Sequence, residues 1–401
     1  MAKQNSTERP VPGQGPWTQT EIQGIRAKLL AHFDAEARDL PWRGSSDPYR
    51  ILVSEVMSQQ TRLETVIPYY RRWVERFPEV AELAEADEEE VLALWQGLGY
   101  YSRARNLLAA AREVTARYEG VLPDSYDELR TLPGVGPYTA GAVASIAFGQ
   151  PVPAVDGNVR RVMARFLDEP DPAPTALRAW AAALVDPHRP GDFNQALMEL
   201  GASICTPRSP ECPRCPIREM CRGRASGRQE ELPVPRSRGP VPHSTSRVLV
   251  VRVRDGGKVW YLMRRRPPKG LLAGMWEFPE EGRVPFRIRG ISDVPAEGGA
   301  GEGRGATVGS NPGNSGPPST AGTLDLDPVE HVFSHRRITY AARLVDLCPP
   351  PPDLPHAEGE TTPTQTAMRW VAREELPQLP LPVAQRKILA LVRAAGGELP
   401  G

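Results

Sequence analysis

The chain has 401 residues, too many for one small core, and two domains are the natural expectation. Lys plus Arg number 49 and Asp plus Glu number 49, so the net charge selects no class of partner. No apolar run approaches the roughly 18 residues of a membrane span, and five cysteines, four of them crowded together, do not form the framework of a small secreted domain.

The even total hides an uneven distribution. Glu79 to Glu90 holds seven acidic residues and no basic one, which reads as solvated surface. Cys205 to Arg254 holds eleven Arg against four Glu, enough to build a basic face for a polyanion. The first sixteen residues are polar, rich in Pro and Gly, and lack the apolar centre of a secretory signal. Residues 1–16 are therefore expected to be a disordered tail on a cytoplasmic protein that touches no membrane.

Residues 17–223 read as mostly helical. Ile22, Ile25, Leu29, Leu30 and Phe33 fall at helical spacing. A second helix is expected from about Tyr49 toward Thr61. A third starts near Asp87, a good N-cap with acids behind it. Ser102 is expected to cap another that runs toward Tyr118. Two more are expected over Tyr138–Phe148 and Asp192–Ile204. The texture changes near residue 224. Residues 224–243 are rich in Arg, Pro, Ser and Gly and read as a linker. Beyond it, Arg247–Val253 and Val259–Arg264 predict paired strands around Asp255-Gly256-Gly257. Ile338–Leu347 and Met368–Val371 predict further strands, and Val383–Ala395 a closing helix. This α+β domain, 244–401, is interrupted by a Gly-, Ser- and Pro-rich stretch, 297–322, expected to be disordered.

Cys205, Cys212, Cys215 and Cys221 form C-x6-C-x2-C-x5-C, four thiolates within seventeen residues. By spacing they suit either an iron–sulfur cluster or zinc, with no His nearby to favour zinc. Cys348 stands apart as an ordinary thiol. Leu132-Pro133-Gly134-Val135-Gly136-Pro137-Tyr138 lies between helical segments. Its glycines allow a tight turn and a close approach, and the helix that follows presents free N–H groups. The stretch reads equally as a phosphate site or as an ordinary helix–helix turn.

The hairpin, Asp156 eighteen residues beyond Tyr138, and the four-Cys loop together resemble the helix–hairpin–helix DNA glycosylase superfamily over about residues 20–223. The resemblance implies that Gly134 and Gly136 grip a DNA backbone, that Asp156 within Val155-Asp156-Gly157-Asn158 lies in a base-excision pocket, and that loop 205–221 holds one [4Fe-4S] cluster through its four Cys. Relatives that cleave the strand carry Lys where this chain has Tyr138. An amine can form a Schiff base with the sugar and a phenol cannot, which argues against strong lyase activity.

Two long segments narrow the resemblance to adenine DNA glycosylases of the MutY type. One is Ser54-Glu55-Val56-Met57-Ser58-Gln59-Gln60-Thr61, preceded by Leu40-Pro41-Trp42-Arg43. The other is Gly97-Leu98-Gly99-Tyr100-Tyr101-Ser102-Arg103-Ala104-Arg105-Asn106. Ser58 and Pro137 depart from the apolar residue and the Arg common at those positions. The resemblance makes Glu55 the acid that protonates adenine and Asp156 the anion beside the sugar cation, a two-carboxylate division of labour. Tyr138 would support Asp156 or the intermediate, and Asn158 would hydrogen-bond Asp156. Gln60 and Tyr100 would wedge into the duplex while adenine is extruded into a pocket of Trp42, Arg43 and Gln195.

In the second domain, Leu271-Leu272-Ala273-Gly274-Met275-Trp276-Glu277-Phe278-Pro279 resembles the Nudix-like domain of the same family. The acidic helix of a working Nudix hydrolase does not follow: after Glu281 the chain runs Gly282-Arg283-Val284-Pro285-Phe286-Arg287. A scaffold without its catalytic acids suggests binding. Phe333-Ser334-His335 resembles the family's 8-oxoguanine-reading loop. The expectation is a multidomain chain, a mostly α helix–hairpin–helix glycosylase domain followed by an α+β Nudix-like domain. It would act as a monomer, without a nucleotide cofactor, on duplex DNA carrying adenine opposite 8-oxoguanine or guanine. The alternatives are an endonuclease III-like glycosylase-lyase, opposed by Tyr138, a DNA-scanning module without catalysis, opposed by Glu55 and Asp156, and an active Nudix hydrolase.

Overall fold

The computed structural model describes residues 16–234, 239–284, 319–348 and 368–395. These divide into two compact units. One holds the described residues of 16–87 and 103–234; the other holds 88–102 and those from 239 onward. The stretch 88–102 thus clusters with the C-terminal residues, although the sequence reading set it wholly inside the helical domain. Within that second unit, Gln96 Nε2 donates to the Leu381 carbonyl at 2.9 Å, and Arg369 meets Glu89 at 3.5 Å.

The first unit is helical: α1 (Gln19–Glu36), α2 (Pro48–Ser58), α3 (Leu63–Arg76), α4 (Val80–Glu85), α6 (Ser102–Tyr118), α7 (Tyr126–Leu129), α8 (Pro137–Phe148), α9 (Gly157–Leu167), α10 (Pro174–Leu184), α11 (Pro190–Ser203) and the short α12 (Arg222–Ala225), with α5 (Glu88–Leu94) in the other unit. A capping box starts α1: Thr18 accepts from the Glu21 N–H, and Glu21 reaches back to the Thr18 N–H at 2.7 Å. The predicted stripe of α1 buries Ile22, Ile25, Leu29 and Phe33 against Val159, Val162, Met163 and Phe166 of α9 and Phe193, Leu197 and Leu200 of α11. That core fixes the start of α9, where Asp156 sits. The second predicted helix stops at Ser58 rather than Thr61. There the buried Arg103 guanidinium collects the carbonyls of Val56 and Met57, both at 2.9 Å, which otherwise lack intrahelical partners.

The second unit carries a seven-stranded mixed sheet among the described residues: β1 (His243–Asp255), β2 (Lys258–Arg265), β3 (Trp276–Glu277), β4 (Ser319–Asp325), β5 (Val329–Val332), β6 (Arg337–Cys348) and β7 (Met368–Ala372), followed by α13 (Val383–Ala394). The path runs β3-β2-β1-β6-β4, with β5 on β6 and β7 on β2. The β1–β2 hairpin turns at Gly256 and Gly257, both with positive φ (56° and 76°), as a two-residue turn of this hand demands. β1 and β6 pair in parallel with Arg252 opposite Asp346, and a bidentate ion pair at 2.5 and 2.6 Å fixes that register. The segment Val248–Val253 of β1 is buried on both faces. Val248 and Val250 pack toward Ala384 and Ile388 of α13, and Leu249 and Val251 toward Val345 and Trp370.

Three expectations change. Ser319–Gly322, assigned to the disordered stretch, open β4 and pair with β6; 297–318 lie outside the described residues, as do 1–15 of the tail. The linker is shorter than 224–243, because Arg224 and Ala225 close α12 and His243 opens β1, while 235–238 are not described. The strands β3, β4 and β5 were not anticipated.

Candidate active site

Several segments of the helical unit meet at one cleft of about 410 Å³. Leu40–Arg43 lines its mouth, α2 contributes Glu55, the start of α8 contributes Tyr138, the start of α9 contributes Asp156 and Asn158, and α11 contributes Gln195, Met198 and Glu199. Glu55 and Asp156, about a hundred residues apart in sequence, therefore face one space.

Their surroundings differ. Burial pushes the Glu55 carboxyl up to about 7; the Tyr138 hydroxyl and the Arg43 charge oppose the rise, and the Asp156 charge adds to it. The Tyr138 phenol donates to Glu55 Oε2 and lies 3.2 Å from Met198 Sδ. Burial also raises Asp156, but more donors hold its charged form. Asp156 is the N-cap of α9 and accepts the Val159 N–H at 2.7 Å, while Asn158 Nδ2 donates to its second oxygen at 2.8 Å. Asn158 cannot turn over, because its oxygen accepts from Arg161 Nη2 at 2.8 Å. Glu55 is thus suited to hold a proton near neutral pH, while the donors around Asp156 favour its charged form against the effect of burial.

The sequence reading has Tyr138 support Asp156 or the intermediate; in the structure its hydroxyl donates to Glu55. Trp42, Arg43 and Gln195 all line the cleft. Arg43 donates to Gln195 Oε1 and to Glu199, and Trp42 packs edge-on against Tyr70 with ring centres 5.0 Å apart. Glu199 was missed: it neutralises Arg43 and accepts from Arg38 Nε at 2.6 Å, and nothing in its sequence neighbourhood marked it. Ser58 also borders the cleft. Gln60 does not line it; it is exposed just past α2 with φ of 55°. Tyr100, in the other unit, is 45 % exposed with φ of 48°. Both side chains are presented outward by backbone that L residues seldom adopt.

In the glycine hairpin the two glycines have different reasons. Gly134 has φ of 75°, and a Cβ there would lie 2.5 Å from Asn106 Cβ. Gly136 has ordinary φ and open space before it, and it is the N-cap of α8, with Pro137 as the first helical residue. The free N–H groups of that helix start are open to an anion.

The four cysteines of 205–221 are half-buried free thiols that border one small cavity of about 30 Å³. The Ile217 N–H points at the Cys215 sulfur, the Gly223 and Arg224 N–H groups at Cys221, and Arg165 Nη1 lies 3.3 Å from Cys205 Sγ. Burial raises the Cys212, Cys215 and Cys221 thiols, Cys215 to about 12. Among the described residues no three Cys, His, Asp or Glu side chains converge closely enough for a single ion. Four sulfurs around a common space, with N–H groups turned to them, fit an iron–sulfur cluster better than mononuclear zinc.

In the C-terminal unit, Glu277 is buried and paired with Arg264 Nε at 3.0 Å and Arg266 Nη1 at 2.5 Å, so its carboxylate is already neutralised. Phe333, Ser334 and His335 form the loop between β5 and β6, closed by the Phe333 N–H to the Arg336 carbonyl at 2.7 Å. Phe333 packs edge-on against His331 at 4.4 Å, while Ser334 and His335 are exposed. No described helix is long and apolar enough to cross a membrane.

Residues 53–186 match the HhH-GPD superfamily of base excision DNA repair proteins, 205–221 match the iron-sulfur binding domain of endonuclease III, and 247–391 match the NUDIX domain. The chain is 36 % identical over 438 residues to the adenine DNA glycosylase of Homo sapiens, covering 95 % of this chain and 76 % of that one. It is 37 % identical over 424 residues to that of Rattus norvegicus, covering 92 % and 78 %. With that of Mycolicibacterium smegmatis it shares 45 % identity over 204 residues, 50 % of this chain and 69 % of the relative.

Proposed function

The chain belongs to the adenine DNA glycosylase family, and from that premise we propose that it hydrolyses the N-glycosidic bond of adenine opposite 8-oxoguanine or guanine in duplex DNA. The product is an abasic site, with little or no strand cleavage. The observation that carries this reading is the pair Glu55 and Asp156 in one cleft, Glu55 raised by burial to about 7 and Asp156 held by the Asn158 amide and the Val159 N–H.

Adenine, extruded from the duplex, enters the cleft beside Trp42, Arg43 and Gln195. Glu55 gives its proton to a ring nitrogen of adenine. The glycosidic bond breaks and its electron pair leaves with the base. The positive charge that develops on the sugar faces the Asp156 carboxylate, which Asn158 and the Val159 N–H hold in place. Water adds to the anomeric carbon, and its proton returns to Glu55. No amine occupies the position of Tyr138, so the sugar is not captured as a Schiff base.

Cys205, Cys212, Cys215 and Cys221 hold the iron–sulfur cluster, read here as [4Fe-4S]. Gly134 and Gly136 bring the start of α8 to a DNA phosphate. Gln60 and Tyr100 insert into the duplex around the lesion. Ser334 and His335 hydrogen-bond the oxidised guanine, with Phe333 as their anchor.

Single-turnover assays on duplexes with adenine opposite 8-oxoguanine, guanine and thymine, and on one carrying thymine glycol, test this reading. Free adenine should appear fastest from the first, and strands should break only after alkali. Release of thymine glycol in preference to adenine, or direct strand cleavage, would overturn it.

A further inference from the structure

Gln229 lines the same cavity as the four cysteines, and its side-chain oxygen is enclosed without a hydrogen-bond partner. The chain after Cys221 is folded back to put it there. α12 ends, Gly227 turns with φ of 76°, the Arg228 N–H closes onto the Gly223 carbonyl at 2.8 Å, and Arg228 is tied to Asp168 at 3.0 Å. Of the cationic side chains around the cavity, Arg165 reaches Cys205 Sγ at 3.3 Å as well as the Leu232 and Thr206 carbonyls, while Arg218 is engaged with Pro213 and Arg224 with Arg218.

An amide's oxygen and nitrogen exchange places by a half-turn that leaves its shape unchanged, and its partners decide the orientation. With the oxygen inward, an enclosed acceptor faces sulfur atoms that are themselves acceptors. With the nitrogen inward, an N–H donor faces them. We propose that Gln229 is a hydrogen-bond donor to the iron–sulfur cluster, presenting its side-chain N–H to a cluster or cysteine sulfur. This rests on the reading that the four cysteines hold that cluster. Donors to the sulfurs stabilise the more negatively charged state of a cluster and so set its potential. Gln229 acts as a positioning and tuning residue, not a catalytic one.

The test uses the full-length, iron-loaded protein. Gln229→Leu removes the donor, and Gln229→Glu replaces it with an anionic acceptor of the same shape. Protein-film voltammetry should show the oxidised state favoured about tenfold in Gln229→Leu, about 59 mV for one electron, and further in Gln229→Glu, at iron content equal to wild type. An unchanged potential in an iron-replete Gln229→Leu protein overturns the inference and leaves the cluster assignment intact. Wild-type protein without iron overturns both. Should either variant lose its iron, the unsubstituted protein decides. With glutamine labelled with nitrogen-15 in the side-chain amide, and the cluster brought to a paramagnetic state by one-electron chemical oxidation or reduction, pulsed paramagnetic resonance should detect coupling between the cluster and one amide nitrogen. No coupling overturns the inference.

Discussion

The Tyr138 hydroxyl points to the Glu55 carboxyl and not to Asp156. The phenol therefore stabilises the charged form of the residue assigned as the acid, and limits how far burial can raise it. Excision should fall as pH rises through about 7, where Glu55 gives up its proton. Tyr138→Phe removes a contact that lowers the carboxyl's pKa, so the alkaline limb should move to higher pH. Single-turnover rates across a pH series check this, and a limb that stays in place would exclude Glu55 as the titrating acid. Linkage has the matching sign. The folded-state value lies above the ordinary 4.5, so stability from this group is fully present below that value and is lost as pH rises through about 7.

Glu55→Gln and Asp156→Asn should each bind mismatched DNA and lose excision by at least roughly a hundredfold. The amide at 156 still accepts the Val159 N–H and caps α9, so its defect should be chemical, with a thermal midpoint near that of the parent. A near-normal rate in either protein removes that residue from the mechanism.

Gly134→Ala should destabilise the helical unit by about 2 kcal/mol or more, since positive φ and the contact with Asn106 act together. Gly136→Ala meets open space and should cost less than about 1 kcal/mol, yet weaken DNA binding by crowding the free N–H groups of α8. Denaturation and binding titrations on both proteins separate the two roles. Equal stability losses would contradict the distinction.

The double change Ser334→Ala and His335→Ala should reduce preference for 8-oxoguanine over guanine opposite adenine by about 1–3 kcal/mol, roughly ten- to a hundredfold. Excision opposite plain guanine should barely change. Paired single-turnover rates on the two duplexes provide the measure, and an unchanged ratio assigns recognition elsewhere.

Much of the framework was legible in the sequence. The i, i+3, i+4 spacing of α1 and the Asp255-Gly256-Gly257 turn each carry their own local cause. Other elements lacked one. β3 has two residues and β5 four, too short for alternation to register, and β4 begins inside a Gly- and Ser-rich stretch where composition outweighs pattern. α9 could have been found, because Val159, Val162, Met163 and Phe166 follow Asp156 at helical spacing. Its capping role was hidden behind its reading as a reactive acid. The meeting of Glu55 with Asp156 was not legible from spacing and entered only through resemblance. The Arg103 contacts that terminate α2 are tertiary, and no local signal encodes them.

The parallel pairing of β1 with β6 bears on how the C-terminal unit comes into being. β2 can close on β1 at once through a two-residue turn, but the other edge of β1 finds its partner only after β4 and β5 have been synthesised. Until then a strand whose Val248–Val253 segment is buried on both faces in the finished sheet has an open rail of backbone donors and acceptors. Late-formed pairing of this kind is where newborn chains cross-associate. Truncations ending before Arg337 should be sticky and chaperone-dependent, whatever their ability to fold the helices that come first.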